Sequence, residues 1–390
     1  MITDIAVKIL NSGFVCDSCL GRQFAKLLRD YSSMEKGKIT RKFLAMEYET
    51  GEIKVDPANF EKGKKPEKCV VCENLFDNLL EISGEILKKV KQMDFETFLI
   101  GVKMNDSLVM NEEALWEKTG IKYSEPIKSE INRELGKIVT EGTGKRMDPA
   151  KPDILIIFDL QKRETEVFSN SLFVYGEYKK FVRGLPQTHS PRYKQAIQDI
   201  IARPFIKSTL ASSHVLHALG REDKEARCLA WRPFVLEIKQ PIKRRIDFER
   251  VKKEINKTKK IKVRGFRISD KKEVSLLKSK RPYKVYRIVA DFEKKVEKVE
   301  NLKKLAGVIK QRTPERVLGS KPDKTKNKKV KSIKWKRINN KSYQFEIKTE
   351  SGLYLKELVS GDSGRTNPSV SGILANQAKV KEFDLIDIED

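Results

Sequence analysis

The stretch HALGREDKEARCLAWRPFVLEI, His217 to Ile238, decides how this chain is read. Charged residues cluster around Asp223, between a small-residue turn and the run Arg-Pro-Phe-Val-Leu-Glu-Ile. A solvated helix could carry those charges. A helix would not pass at once into an apolar, β-branched run, so the stretch reads as a charged loop opening into a buried strand. Asp223 then stands in that loop with Arg221 and Arg227 nearby. A carboxylate held near cations stays ionised and can act as nucleophile or base.

Working outward, short β-type runs dominate from Arg183 onward: RPFVLEI, KKIKVRGFRI, KVYRIVADF, RVLGSK, SIKWKRI, SYQFEIKTES and AKVKEFDLIDI. Helical spacing recurs only in YKQAIQDIIARPFIKST and DFERVKKEINKT. This predicts an α+β domain over 183–390 on a mostly antiparallel sheet. Residues 320–331, SKPDKTKNKKVK, read as a basic loop, either a solvated insertion or an arm that tracks RNA.

Before Arg183 the order is different. LGRQFAKLLRDYSSM carries a helical pattern, 51–68 reads as a polar loop, and residues 74–93 again have helical spacing. FETFLIGVKM predicts a strand, NEEALWEKTG and PIKSEINRELGKIVTEGTGK two helices, KPDILIIFDL a buried strand, and TEVFSNSLFVYGEYKKF two β-rich runs split at Asn-Ser. That order suits a small α/β module over 86–182, preceded by a subdomain over 1–85. EGTGKR is not a phosphate loop: Val139 stands where the first glycine is needed, and Arg146 where Ser or Thr is needed. No Gly-x-Gly-x-x-Gly opens a strand–helix unit, so no organic cofactor is expected.

The chain has 390 residues, long for a single core, and a formal net charge of +26. Charge of that size favours a polyanionic partner, nucleic acid above all; a lysine-rich proteome is the plainer explanation. No apolar run nears the length of a membrane span, and the N-terminus lacks a signal-peptide pattern, so a cytoplasmic protein is expected. Its five cysteines should then be reduced. Four form two Cys-x-x-Cys pairs, Cys16 with Cys19 and Cys69 with Cys72, the ligand count of a tetrahedral structural zinc. A redox pair is the alternative, although one redox site does not need two pairs. Cys228 reads as buried filler.

At this point the motifs carry a resemblance. GREDKEARCLAWRPFVLEI resembles the catalytic motif of the pseudouridine synthases, in the archaeal and eukaryotic tRNA family with an N-terminal zinc and THUMP-like region, the Pus-ten family. FVRGLPQT (181–188) resembles the start of that catalytic domain, and KVYRIVADF (284–292) the strand that bears its active-site Tyr. ESGLYLKELVSGDSGRTNPSVSGIL (350–374) resembles its last motif. The likeness runs through essentially the whole chain. It implies a zinc-stapled, THUMP-like α/β region followed by a pseudouridine synthase domain, with tRNA as partner through its T arm and uridines 54 and 55 as targets. A monomer is the usual state for such enzymes.

Carried over residue by residue, the resemblance makes Asp223 the catalytic aspartate, attacking the nucleotide or abstracting its proton. Tyr286 would stack on the flipped uracil or serve as base, and Lys356 would pair with Asp223. Arg221 would hold the nucleotide or its phosphate, and Tyr354 and Leu358 would contact substrate. A base must leave its stack to reach such a carboxylate, which calls for an aromatic platform and basic clamps. One departure stands out. The family carries Gly-x-Gly before Arg-Pro-Phe, whereas CLAWRPF is one residue shorter and presents Trp231, which predicts a repacked loop or altered substrate fit. A non-catalytic RNA-binding protein on the same scaffold is the rival reading. A THUMP-type methyltransferase or thiolase is a second, and it lacks the required cofactor loop.

Overall fold

A computed structural model describes residues 2–60, 68–191 and 193–389. The chain divides into two compact units, one ending at Asn170 and the other beginning at Ser171.

The first unit opens with helices α1 (Ile2–Leu10), α2 (Asp17–Arg22), α3 (Ser33–Glu49) and α4 (Leu79–Val90). Then follow β1 (Thr97–Lys103), α5 (Asp106–Thr119), α6 (Ile127–Thr143), β2 (Arg146–Met147), β3 (Ile154–Asp159) and β4 (Glu164–Ser169). The sheet order is β2-β1-β3-β4, parallel at β1 and antiparallel between β3 and β4. Sequence spacing explains how α6 covers it: Ile127, Ile131, Leu135 and Val139 recur every fourth residue and are all buried. They join Phe98 and Ile100 of β1 and Ile154, Ile156 and Phe158 of β3 in one core. Gly144 ends α6 at φ +67°, so EGTGKR is a helix terminus.

The second unit comprises β5 (Leu172–Lys180), α7 (Ile197–Thr209), β6 (Ser213–Ala218), β7 (Arg227–Lys239), α8 (Phe248–Asn256), β8 (Ile261–Ser269) and α9 (Lys271–Ser279). It continues with β9 (Tyr283–Phe292), β10 (Gly307–Arg312), β11 (Thr325–Arg337), β12 (Ser342–Glu350), α10 (Leu355–Ser360), β13 (Thr366–Asn367), α11 (Val370–Leu374) and β14 (Ala378–Glu389). The sheet runs β13-β10-β11-β12-β9-β14-β7-β5-β8, with β6 also on β7. Only β14 with β7 is parallel, so the sheet is mixed although mostly antiparallel, as expected.

Several expectations need correction. The division falls at 170/171 instead of 182/183, because β5 pairs with β7 and β8 in the second sheet. The boundary drawn at 85/86 falls inside α4, whose buried face shares the core of the first unit. The helical pattern at 20–34 is broken: α2 stops at Arg22, turns follow, and α3 restarts behind the Ser32 capping box. Within the loop read at 51–68, Pro57–Asn59 form a 3-10 turn, and residues 61–67 lie outside the described residues. RVLGSK is a turn, with 3-10 geometry at Glu315–Val317. The basic segment 320–331 enters β11 at Thr325; ladders to β10 and β12 supply the backbone partners that its charged side chains do not advertise.

Candidate active site

Gly220 follows β6 with φ +69°, and a Cβ there would come within 3.0 Å of the Lys284 ammonium. The positive φ favours glycine here, and a side chain would also crowd the Lys284 ammonium. The loop that it opens alternates its side chains: Arg221 is exposed, Glu222 buried, Asp223 half-buried, Lys224 and Glu225 exposed, Ala226 buried. The charged cluster thus faces two ways.

Glu222 turns inward. Both its oxygens accept from the Tyr178 hydroxyl (2.7 and 2.9 Å), Oε2 also accepts from Gln187 Nε2 (3.0 Å), and Arg232 Nε lies 3.3 Å away. Arg232 Nη1 donates to Leu219 O at 2.8 Å, closing the cluster against the loop's own backbone. Charges this buried are costly unless they are paired and hydrogen-bonded. Arg183 tightens the other flank, donating to Glu225 O (2.7 Å) and Phe383 O (2.8 Å) and pairing with Asp384 (2.8 Å). Asp384 also holds Arg227, accepting from Nε at 3.1 Å.

Asp223 turns outward. Its Oδ1 accepts from the Glu225 amide at 3.0 Å, and its Oδ2 lies 3.3 Å from Lys356 Nζ. Burial pushes the carboxyl upward; the Glu225 N–H, the Lys356 ammonium and Arg316 outweigh it and hold it below the usual carboxylate range. Lys356 sits in the first turn of α10, its ammonium 5.5 Å from the centre of the Phe383 ring. The next residue, buried Glu357, accepts from Arg316 Nε at 2.6 Å. Gln311 fixes the helix start, accepting from Tyr354 N (2.8 Å) and donating to Tyr354 O (3.0 Å).

The other expected site residues are placed as follows. Tyr286 lies on β9 opposite Ile347 and Leu385 and packs against Cys228 and Ala230. Burial raises its phenol to about 12, with Arg232 opposing, so the hydroxyl stays protonated at neutral pH. Tyr354 receives a hydrogen bond from Lys321 Nζ (3.0 Å) and has Lys321 and Arg316 over its ring at 5.4 and 6.0 Å. Arg221 is exposed and makes no ion pair among the described residues. Leu358 is a correction: it is 0% exposed within the core beneath α10 and offers no face to a substrate. Trp231 is a second. Tyr178 opposes Arg232 and Lys180 opposes Cys228, so β7 bulges over 229–231. The Trp231 ring meets Lys179 (4.9 Å) and Arg264 (4.2 Å), on the other face of β5 from Tyr178 and Lys180. It does not repack the loop of Asp223.

Sequence reasoning missed the fasteners Lys180, Arg183, Gln187, Glu222, Arg232 and Arg316. One signal was available: Arg232 occupies an inward position in an apolar strand, the pattern of a buried ion pair. An ionised, half-buried carboxylate on a rigid loop, with one lysine and an aromatic side chain on neighbouring elements, suits nucleophilic or general-base chemistry on an extruded base.

In the first unit, Cys16, Cys19, Cys69 and Cys72 bring their sulfurs within 4.8 Å of one another, with Cys16 Sγ and Cys72 Sγ 3.6 Å apart. Tetrahedral metal–thiolate bonds of roughly 2.3 Å place sulfurs at about this spacing, too far apart for a disulfide. The Cys16 amide donates to Cys69 Sγ at 3.3 Å, the outer support that such thiolates receive. The four residues can hold a metal ion. No helix among the described residues is long and apolar enough to cross a membrane.

Comparison with known proteins follows the same division. Residues 173–389 match the family described as Pus10, C-terminal, and residues 82–159 match the archaeal Pus10 THUMP domain. A protein of Pyrococcus furiosus named tRNA pseudouridine synthase Pus10 is 36% identical, covering 100% of this chain and 98% of that one. Proteins of the same name from Methanothrix thermoacetophila and Thermofilum pendens are 33% and 34% identical, covering 98% and 99% of this chain and 93% and 95% of theirs.

Proposed function

Because the chain belongs to the Pus10 family of tRNA pseudouridine synthases, we propose that it isomerises T-loop uridines of tRNA, at positions 54 and 55, with Asp223 as the catalytic carboxylate. The observation that carries this reading is the contact of Asp223 with Lys356 across two elements, on a loop fastened from behind by Glu222 and Arg232. In this reaction the bond from the ribose to N1 of uracil breaks and the base turns. A bond then forms to C5, the C5 proton is lost, and N1 gains a proton. Ionised Asp223 either attacks the nucleotide or takes a proton, and Lys356 keeps it charged and aimed.

Tyr286, held protonated, supplies a ring against the base in preference to a phenolate. Tyr354, with Arg316 and Lys321 beside it, offers a second aromatic and cationic surface. Exposed Arg221 is free to take a phosphate. Along β11, exposed Lys326, Lys329, Lys331, Lys334 and Lys336 offer cations to an RNA backbone. The first unit would grip tRNA with its THUMP fold, and its four cysteines would hold a structural zinc, measurable as about one zinc per chain. A cytoplasmic monomer completes the proposal, the oligomeric part of which light scattering checks.

The test is pseudouridine formation in an unmodified tRNA transcript by the wild type and by Asp223→Asn. Product at the T loop from wild type alone, with tRNA binding kept by the variant, is expected. Product from Asp223→Asn would overturn the assignment. Product elsewhere than the T loop would overturn the target.

A further inference from the structure

Lys180 is 0% exposed at the end of β5, and its ammonium makes three hydrogen bonds. The acceptors are the carbonyls of Leu185 (3.1 Å), Asp223 (3.2 Å) and Lys224 (3.1 Å). An ammonium has three donors, so the set is complete. Among the described residues it has no ion-pair partner. Burying a cation against carbonyls alone is costly, and burial holds the amine below its usual range. Packing could be served by a leucine or methionine here. What an apolar side chain could not do is converge three peptide carbonyls on one point, two of them from the loop of Asp223.

We infer that Lys180 is a positioning residue for the catalytic loop: by fixing the Asp223 carbonyl it sets the direction in which the Asp223 side chain leaves the backbone toward Lys356. Strand alternation puts it there: Lys180 and Tyr178, two residues apart, lie on one face of β5, one under the backbone of the loop and the other under Glu222. Gly184 N adds a bond to Lys224 O at 3.0 Å, so the Leu185 segment and the loop are tied twice. The charged and titratable groups facing Lys180 are Glu222, Asp223, Cys228 and Arg232; those facing Asp223 are Lys356, Arg316, Lys180 and Lys224.

This rests on Asp223 being the catalytic carboxylate, so Asp223→Asn is run alongside. With an unmodified tRNA transcript, Lys180→Met should lower kcat on the order of 10²-fold, the cost of a misplaced reacting group, with KM within roughly threefold of wild type. The acid limb of its kcat profile should move to higher pH, because Asp223 loses its alignment with Lys356. Lys180→Arg, which keeps the charge and donors, should recover part of the rate. Lys180→Gln, read the same way, replaces Lys180→Met should the latter not fold. A folded variant with unchanged kcat would overturn the inference. So would a rate that falls only in step with melting temperature while the acid limb stays in place, since that marks a structural role. Activity in Asp223→Asn would instead overturn the underlying assignment.

Discussion

Glu222 and Asp223 carry the same functional group on adjacent residues, yet one is spent on Arg232 and Tyr178 and the other meets Lys356. The difference lies in what stands behind each carboxylate, and it can be tested at Lys356. The folded protein holds Asp223 below its ordinary range, so it stays charged until the pH falls through that lowered value. Lys356→Met removes a stabilising cation, so the acid limb of the activity profile should move to higher pH, with kcat falling on the order of 10²-fold. Lys284 gives a second test, on stability. Burial, helped by Arg232, lowers this lysine from 10.5 to about 8. Between those values the unfolded chain binds a proton that the folded protein does not, so stability rises with pH through that window and the cost is fully present below it. Lys284→Met should therefore raise the denaturation midpoint at pH 7, and the gain should shrink by pH 10; a constant difference would contradict the reading.

At the scale of elements, β11 is the clearest case of structure hidden by composition. Its inward positions are few, Val330 and then Ile333 and Trp335 after a register shift, and the rest of the strand is dominated by lysine. Replacing Lys329, Lys334 and Lys336 by Gln should weaken tRNA binding, with the slope of log K against log salt reduced by about one for each phosphate no longer neutralised. Elements with regular apolar spacing, such as α6 and β3, were legible in the sequence because alternation or fourfold recurrence survives any tertiary context. The meeting of Asp223 and Lys356 was legible only through the order of motifs. Lys180, Arg183 and Gln187 were not, since they act largely on carbonyls and on a carboxylate some 40 residues away, and nothing local marks that partnership. Leu358 was misread because the buried side of a short helix is set by its neighbours.

On the scale of the whole molecule, each unit has cores of its own. Cys19, Cys69 and Cys72 belong to the first core, so a metal bound by the cysteines bears on its stability. A strong chelator should lower the unfolding temperature of the first unit while sparing the second. Trp116 reports the first unit alone, since Trp231 and Trp335 lie in the second; a chain with both of those changed to Phe separates the signals. One feature of the second sheet reaches further. Strand β14 lies between β9 and β7, so it joins the half that bears Tyr286 and Lys356 to the half that bears Asp223. It is also translated after every other strand of that sheet. A nascent chain halted on the ribosome before Ala378 would therefore carry both half-sites with no strand to zip them together. Chains truncated before Ala378 are therefore expected to be inactive on a tRNA transcript that the full chain modifies.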